Sequence, residues 1–431
     1  MSTKLARTIG LTQATAMVVG TIVGSSIFVQ PSEVSKAVPS FGGMLLVWIV
    51  AGALTWFGAS ICAELSSANP KTGGVYVFLR EIFSPAVGFL WGWAMFWSMH
   101  SGIIAAIAMV FGRYAATIVP LSDFAIRLVA VGAIAVLSAI NYVGVRPGAS
   151  VQTGLTITKI AAIGVLLVLL FGTGTPTLPA SLGEIEPRGF LRALVAGLFA
   201  FGGWHMVTYA AEETQDAERT IPRALMLGTA VVVVIYLALN SAYLLILPFD
   251  AVLKSTHIAF DATLATAGQK AASAISILVI VSSFGAISGI ILAGPRVYYA
   301  MAEDGLLFAW MGAVHPRHKT PYLAIVVQGI WSSVLVLTGT YGVIVSRVVY
   351  TEWIFFGALA LGTIGLRRSR GYAPAFRAWG FPLVPIVFAL VCLAIVLNQI
   401  ATDPRESLTG LALVIAGLPV YYFWRRPDAR D

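Results

Sequence analysis

The sequence predicts an all-α polytopic membrane protein of about twelve helices, and three observations carry that prediction. Hydrophobic residues make up 58% of the chain and charged residues 11%, against about 45–50% and about 25% in soluble domains. Apolar runs of about 20 residues, long enough to cross about 30 Å of hydrocarbon, recur from near the first residues to near the last. No soluble domain or low-complexity linker interrupts them, so we expect one transmembrane domain over 1–431.

Each apolar run is interpreted as one membrane-spanning helix, numbered 1 to 12 in chain order. The first run follows the N-terminal residues without a small-residue cleavage pattern, so we expect no removable signal peptide. The longest connections, about 173–189 and 248–270, are short. The predicted helices cover 9–37, 41–66, 83–112, 122–140, 151–172, 190–213, 223–247, 271–301, 321–340, 343–365, 383–399 and 407–424.

The distribution of positive charge predicts the orientation of these helices. An even number of spans places both termini on one side, and that side carries 17 of the 27 Lys and Arg residues, against nine on the other. Cytoplasmic loops are rich in Lys and Arg, so we expect cytoplasmic termini in a multi-pass protein of the cell (inner) membrane. This bias also explains the formal charge of +8 more simply than nucleic-acid binding does.

The chain shows no pattern for a metal, a cofactor or an enzyme active site. Its two cysteines, Cys62 and Cys392, lie inside predicted helices and are too few for a disulfide framework or a metal site. It contains five histidines, no HExxH, no GxSxG and no paired carboxylates. We expect a protein without cofactor or metal that is not an enzyme.

Helices 1 and 6 contain residues that interrupt a membrane helix. Helix 1 has GTIVGSSIF at 20–28 and helix 6 has FAFGGWH at 199–205. Gly and Ser are poor residues for a helix interior. These helices occupy corresponding places if helices 1–5 and 6–10 form two repeats, and matched interruptions in two halves indicate a transporter binding site. The alternative is that small residues only allow close helix packing.

The broken helices indicate which chemical groups such a site would bind. A break leaves amides and carbonyls without intrahelical partners, and inside a membrane these need a cavity or a ligand. Amides suit an anion and carbonyls suit a cation, so a zwitterionic amino acid supplies both charges. The amides expected to hold the carboxylate are those of Ser25, Ser26 and Ile27, and the carbonyls expected to hold the ammonium lie around Thr21, Ile22, Phe199 and Ala200.

These segments resemble the amino acid–polyamine–organocation superfamily, closest to its L-type amino acid transporter branch and bacterial homologues. The similar segments are GTIVGSSIF at 20–28, AELSSANPKTGGVYVFLRE at 63–81, LFAFGGWHMVTYAAEE at 198–213, ERTIPRA at 218–224 and SSFGAISGIILAGPRVYYAMAEDG at 282–305. The resemblance implies a leucine-transporter-type fold with inverted five-helix repeats (about 9–172 and 190–365) followed by two extra helices (about 383–424).

The resemblance also implies roles for particular residues. Phe199 would be the aromatic gate above the substrate and Trp204 another wall of its pocket, although simple core packing is the alternative for both rings. The whole implied substrate site comprises Thr21, Ile22, Gly24, Ser25, Ser26, Ile27, Phe199, Ala200, Phe201, Gly202, Trp204 and His205.

Two residues of the site depart from the family's pattern. Ser26 replaces a glycine and adds a hydroxyl near the substrate carboxylate, which favours a small or polar substrate. His205 stands where eukaryotic relatives have asparagine, and it either titrates near neutral pH or donates one hydrogen bond.

Three ionisable residues lie deep in predicted helices, where they are costly and indicate function. Lys159 of helix 5 matches a lysine that, in bacterial relatives, takes the place of a sodium ion between the helix 1 break and helix 8. Ser282 and Ser283 are its expected neighbours. Glu352 and His100 are candidates for a proton relay, with an interhelical polar contact as the alternative.

Together these features predict sodium-independent transport of small or neutral L-amino acids by alternating access, with exchange favoured. A proton-coupled amino acid or polyamine symporter remains an alternative, as does a non-transport subunit of a membrane assembly. Eukaryotic relatives bond a heavy chain through a cysteine between helices 3 and 4, and residues 112–123 contain none. We expect no disulfide-linked partner, and a monomer or a noncovalent homo-oligomer.

Overall fold

The computed structural model describes residue 7 and residues 9–143, 149–174, 186–318 and 320–424. In this part of the chain, helices and their connections make up the structure, and the sole strand-like feature is an isolated bridge between Ile9 and Thr214. Eleven of its helical segments are long and apolar enough to cross a membrane, and another apolar helix, Tyr322–Thr338, has 17 residues. The predicted all-α polytopic membrane protein is confirmed.

The helices follow one another in the order that the sequence predicts. They are α1 (Leu11–Ile22), α2 (Gln30–Ala37), α3 (Phe41–Ala68), α4 (Val75–Ile82), α5 (Pro85–Ala94), α6 (His100–Ala115), α7 (Asp123–Val143), α8 (Ala149–Thr173), α9 (Pro187–Ala200), α10 (Ala217–Ile246), α11 (Phe249–Lys254), α12 (Ile258–Glu303), α13 (Tyr322–Thr338), α14 (Tyr341–Leu366), α15 (Leu383–Thr402), α16 (Pro404–Ile415) and α17 (Gly417–Trp424). Short 3₁₀ segments lie at Ser26–Phe28, Trp204–Glu213 and Ala309–Gly312, and a π-helical turn lies at Met95–Met99.

The connection predicted at 248–270 contains helical structure of its own. It includes α11 and the first part of α12, from Ile258 onward. Gly268 has non-helical backbone angles, φ +79° and ψ 179°, so a kink separates this first part from the rest of α12. The long part of α12 therefore begins close to residue 271, where the sequence predicts the start of helix 8.

The helices divide into an inner and an outer group. In the most apolar stretch of Pro85–Ala115, 89% of the residues are buried, against 22% in Asp123–Val143. Outer helices expose large apolar side chains, among them Phe124, Val168 and Leu390. These exposed side chains suit a hydrocarbon surrounding, so the inner helices are free to carry polar function.

Candidate functional site

Helix 1 is broken by a tight turn centred on Val23. Its backbone angles, φ −72° and ψ 70°, together with the 2.7 Å hydrogen bond from the Gly24 amide to the Ile22 carbonyl, define an inverse γ-turn. The chain resumes as a 3₁₀ segment at Ser26–Phe28 and then as α2. The first predicted span is therefore two helices joined by an unwound segment.

The break leaves three consecutive amides unbonded. The N–H groups of Ser25, Ser26 and Ile27 donate to no acceptor in the described part of the chain, whereas the amides of Phe28 and Val29 bond the Ser25 and Ser26 carbonyls. All three unbonded residues are buried, and the Ser25 hydroxyl also has no partner. Unbonded amides that point from a helix start are suited to an anion.

Helix 6 is broken around two glycines. The Gly202 amide donates to the Phe199 carbonyl at 3.0 Å, and Gly203 has the left-handed φ of +97°. After Gly203 the chain continues in 3₁₀ conformation from Trp204 to Glu213, with a kink at Ala210, where φ is −103° and ψ is 22°. Short 3₁₀ pieces of this kind are common at the ends of α-helices and as connectors.

The two breaks are in contact with each other. The Thr21 hydroxyl lies 3.2 Å from the Gly203 carbonyl, and it also donates within its own helix to the carbonyls of Met17 and Val18. A Cβ atom on Gly203 would lie 3.2 Å from the Thr21 carbonyl oxygen. The unwound segments therefore pack backbone to backbone, which only small residues permit.

Tyr236 of α10 bonds both breaks, and the sequence analysis did not identify it. Its hydroxyl lies 2.8 Å from the Ile22 carbonyl and 3.2 Å from the Ala200 carbonyl. One hydroxyl hydrogen serves both oxygens, so each carbonyl retains acceptor capacity for a further donor. No sequence signal marks Tyr236, because it lies within the uniformly apolar run AVVVVIYLAL.

A small cavity of about 20 Å³ lies between the breaks. That space holds about one water molecule, so any amino acid needs the helices to move apart. The predicted site residues that line it are Thr21, Ile22, Gly24, Ser26, Phe199, Ala200 and Gly202, and the further lining residues are Ile103, Ile107, Gly203, Met206, Ile290, Val348 and Glu352.

Phe201, Trp204 and His205 are buried away from the lining of this cavity. The Phe201 ring packs on Tyr236 at 4.9 Å between centroids. Trp204 and His205 pack against the ring of Phe356 at 5.0 and 5.2 Å, and neither ring nitrogen of His205 has a partner. Their part in substrate binding stays a prediction, as does that of Ser25 and Ile27.

A larger cavity of about 400 Å³ opens on the side of the membrane away from the start of α1, here called the far face. The two cavities come close together along α9 and α14. On α9, Ala196 lines the larger cavity and Phe199 the smaller one, and on α14 Val345 lines the larger cavity and Val348 the smaller one. Each pair is one helical turn apart. Phe199 therefore lies between the two spaces, where the resemblance places a gate.

The opposite side, the terminal face, is held closed by backbone and charge contacts. The Ile9 amide donates to the Glu213 carbonyl at 3.0 Å, and the Gln215 amide donates to the Ile9 carbonyl at 2.9 Å. Glu213 also pairs with Arg296 of α12 at 3.3 Å. These contacts tie the start of helix 1, the end of helix 6 and α12 into one closed layer.

Two further ion pairs brace the terminal face. Glu64 accepts two hydrogen bonds from Arg367, at 2.5 and 2.7 Å. Asp304 pairs with Arg80 and accepts a 2.5 Å hydrogen bond from the Tyr76 hydroxyl. Burial and this bond raise the pKa of Tyr76 above its ordinary value, so the hydroxyl stays protonated and keeps donating.

Lys159 is half-buried on α8, which packs against α1 and α12. Three residues before it, the Thr156 hydroxyl donates to the Ala16 carbonyl of α1 at 3.2 Å. The helices α1 and α8 run in the same direction. Lys159, one turn after Thr156, therefore lies nearer the helix 1 break than the contact between Thr156 and Ala16 does. Of its two expected neighbours, Ser283 donates to Val279 within its own helix, and the sodium-like bridge to Ser282 and Ser283 stays a prediction.

Glu352 and His100 occupy different positions. Glu352 lines the cavity between the breaks and is 4% exposed, with no partner for its Oε1. His100 is fully buried behind the cavity, near Gly294 and Gln328, and neither of its ring nitrogens has a partner. A proton relay through these two residues stays a prediction.

A polytopic helical protein with two broken helices around a central cavity, a larger cavity toward one face and ion pairs across the other, belongs to the class of secondary transporters rather than enzymes. A family model described as "Amino acid permease" matches residues 9–420. The chain belongs to this family, which lies within the amino acid–polyamine–organocation superfamily.

Individual relatives are similar over nearly the whole chain. The serine/threonine exchanger SteT of Bacillus subtilis is 31% identical, over 99% of this chain and 98% of that protein. The cystine/glutamate transporter of Homo sapiens is 28% identical, over 98% and 86%. The large neutral amino acids transporter small subunit 2 of Rattus norvegicus is 28% identical, over 98% and 82%.

Proposed function

We propose that this protein exchanges small or neutral L-amino acids across a membrane by alternating access, without sodium. The observation that carries the proposal is the pair of broken helices that face one cavity, with three unbonded amides on one break. The names of the relatives, an exchanger and two amino acid transporters, support the same substrate class.

The substrate's two charges would be bound by backbone groups. Its carboxylate meets the amides of Ser25, Ser26 and Ile27, which no other group in the described part of the chain engages. Its ammonium meets the carbonyls around Ile22 and Ala200, which share the Tyr236 hydroxyl. Backbone groups recognise what all amino acids have in common, so the side chains around the cavity would choose among them.

Transport would require the two faces to open in turn. The structure has the arrangement expected for a protein open toward the far face, with the large cavity there and the layer at Ile9 and Glu213 closed. Opening the terminal face breaks the Glu213–Arg296 pair and the backbone bonds of Ile9, while Phe199 closes the far side. The backbone at Gly203, with its left-handed φ, and at the kink at Ala210 offers two positions about which helix 6 could bend.

Lys159 would make sodium unnecessary. A positive charge one turn from the position where α8 contacts α1 fills the electrostatic role that a bound cation has beside unwound carbonyls. Lys159→Met should lower exchange at least about fivefold, because an intramembrane charge of this kind is costly unless it is used. Exposed Lys254 provides the control, and Lys254→Met should exchange normally.

The protein would act in the cell membrane with cytoplasmic termini and without a disulfide-linked partner. Both cysteines are buried, and Cys62 and Cys392 lie on α3 and α15. The preference for positive charge on the terminal face supports the orientation. A cysteine introduced at Ser122, between α6 and α7, should react with an impermeant thiol reagent added to intact cells, whereas labelling only after lysis would reverse the orientation.

The test is uptake of radiolabelled amino acids into proteoliposomes that contain the purified protein. The liposomes are loaded with unlabelled amino acid or left empty, and sodium and a pH gradient are each present or absent. Uptake that needs internal amino acid and ignores sodium supports exchange.

Other results of the same assay would change the proposal. Uptake into empty liposomes, driven by an acidic exterior, would indicate proton coupling instead of exchange. Glu352, His100 and His205 would then be the residues to mutate in search of the proton site. Sodium-dependent uptake would refute the role of Lys159. Absence of uptake for every amino acid, with protein that remains folded and oriented in the bilayer, would refute the function itself.

A further inference from the structure

The wall of the central cavity opposite the helix breaks is apolar except at one position. Ile103 and Ile107 of α6, Ile290 of α12 and Val348 of α14 form most of it. Glu352, one turn beyond Val348 on the same helix, is the sole residue with an ionisable side chain among those that line the cavity. The sequence analysis placed Glu352 deep in the membrane but had no means of placing it beside the breaks.

Among the described residues, the Oε1 atom of Glu352 has no hydrogen-bond partner, and the residue is 4% exposed. The large majority of buried polar side-chain atoms have a partner, so an exception needs an explanation. Thr351, its neighbour on the helix, shows the usual arrangement, because its hydroxyl donates to the Arg347 carbonyl at 2.7 Å. An unpartnered acceptor that lines a cavity is a group to which a bound molecule can donate.

Building on the exchange function proposed above, we infer that Glu352 accepts a hydrogen bond from the substrate's side chain, so that the preferred substrates are small, uncharged amino acids with a side-chain hydroxyl. The backbone groups of the two breaks engage the carboxylate and the ammonium, which directs the side chain toward the remaining wall. That wall offers one acceptor among isoleucines and a valine.

The wall suits a short side chain. Any amino acid needs the helices to move apart, so the free space of about 20 Å³ does not fix the size of the substrate, but a hydroxyl on the β-carbon needs a single acceptor and adds about the volume of one water molecule. A lysine side chain would have to place four methylene groups before its ammonium reached the same wall. The apolar neighbours Ile103 and Val348 suit the methyl group of threonine equally well.

The experiment compares substrates of nearly the same shape. Initial uptake of labelled threonine, valine, serine, alanine and lysine is measured in proteoliposomes loaded with an unlabelled mixture of all five. Threonine and valine differ by a hydroxyl in place of a methyl, so their uptake ratio reports on the hydrogen bond. We expect the wild type to favour threonine over valine, and serine over alanine, at least about tenfold, because a site built to bond a hydroxyl rejects the analogue without one.

Two substitutions of Glu352 separate hydrogen bonding from charge. Glu352→Met removes both oxygens at similar volume, and its threonine-to-valine ratio should fall to within about threefold of one, with valine uptake retained. Glu352→Gln retains a carbonyl acceptor and should keep an intermediate ratio. Val348→Ala enlarges the same wall without touching the acceptor, so its ratio should stay within about threefold of the wild-type ratio, whatever its uptake rate.

Several outcomes would overturn the assignment. A wild-type ratio near one, a tenfold ratio that survives in Glu352→Met, or a preference for lysine over threonine would each do so. If neither Glu352 variant folds, the wild-type ratios alone decide. A wild type that exchanges none of the amino acids refutes the proposed function, whereas a wild type that exchanges them without preference refutes only the role of Glu352.

Discussion

The two helix breaks differ in what their backbone leaves available. At the helix 1 break, a Cβ atom added to Gly24 would fit without a clash, with its nearest neighbours in ordinary contact at 3.9 Å, and the three following amides donate to no acceptor in the described residues. At the helix 6 break, Gly203 has a left-handed φ of +97° and the Gly202 amide is already bonded. The first break offers binding groups, whereas the second fixes a backbone shape.

The glycines of the two matched motifs are therefore not equivalent. Gly24 keeps space for a ligand, and Gly203 permits a conformation and a close approach to Thr21 that other residues resist. Substitution of Gly24 should therefore impair substrate binding, whereas substitution of Gly203 should impair folding or the conformational change of transport. Four predictions test that separation, and they are ordered by the size of the effect that we expect.

The largest effect is expected from Gly203→Ala. A residue other than glycine in this conformation costs about 1–3 kcal/mol, and its Cβ would press on the Thr21 carbonyl at 3.2 Å. Both the melting temperature in detergent and the exchange rate should fall, the latter at least about tenfold. Gly24→Ala is the matched control and should melt like the wild type, because its added methyl meets nothing closer than 3.9 Å. Equal melting temperatures for the two variants would contradict the distinction.

Gly24→Leu should produce the opposite pattern. Its side chain is larger than the cavity of about 20 Å³, so it should fill the space beside the helix 1 amides and prevent substrate binding, and the comparison uses variant protein that still melts cooperatively. The measurement is ligand-induced stabilisation: bound amino acid raises the melting temperature of the wild type through mass action and should leave this variant unchanged. Binding that survives in Gly24→Leu would remove the substrate site from the helix 1 break.

Tyr236→Phe should weaken both breaks by a smaller amount. The lost hydroxyl leaves the Ile22 and Ala200 carbonyls with no donor from α10, which costs about 1–3 kcal/mol for buried groups. We expect a lower melting temperature and a severalfold slower exchange. Tyr243, two turns further along the same helix, has a buried hydroxyl without a partner, so Tyr243→Phe should match the wild type or exceed its stability.

Thr21→Val should have the smallest effect. The Thr21 hydroxyl makes its closest bond inside its own helix, at 2.8 Å, and the bond to the Gly203 carbonyl is longer, at 3.2 Å. A typical hydrogen bond contributes about 0.5–1.5 kcal/mol net, so stability should decrease by about that amount or less. Thr21→Ser keeps the hydroxyl and should behave as the wild type. A larger loss than that of Tyr236→Phe would show that the direct contact between the breaks dominates.

Much of the fold could be predicted from the sequence, because a membrane limits the structures that a spanning segment can adopt. Apolar runs predicted twelve spans, of which eleven are long and apolar enough in the described residues and the other is the 17-residue helix Tyr322–Thr338. Gly and Ser located both breaks to within a few residues. The short helix that begins at Ile258 was missed, because it lies within the predicted connection and is separated from the long part of α12 by the kink at Gly268. Hydropathy reports the surroundings of a segment and is a weak guide to where its helix begins.

The site was harder to predict, because side chains from distant helices meet there. Phe199 and Phe201 are two residues apart and similar in kind, yet only Phe199 lines the cavity, since the rotation of α9 decides which ring faces inward. Tyr236 and Glu352 belong to helices without breaks, and their place depends on how those helices pack. Sequence spacing within one helix carries no information about such contacts.

The bonds between Ile9 and residues 213–215 have a practical consequence for mutational scanning. They join main-chain atoms only, so alanine at position 9 or 215 leaves them intact, and alanine at position 213 removes only the separate ion pair with Arg296. Proline at position 215 removes the Gln215 amide hydrogen that Ile9 accepts, and deletion of residues 1–9 removes the whole connection. A library of alanine variants would therefore miss these backbone hydrogen bonds, whereas a proline scan or a deletion series would detect them.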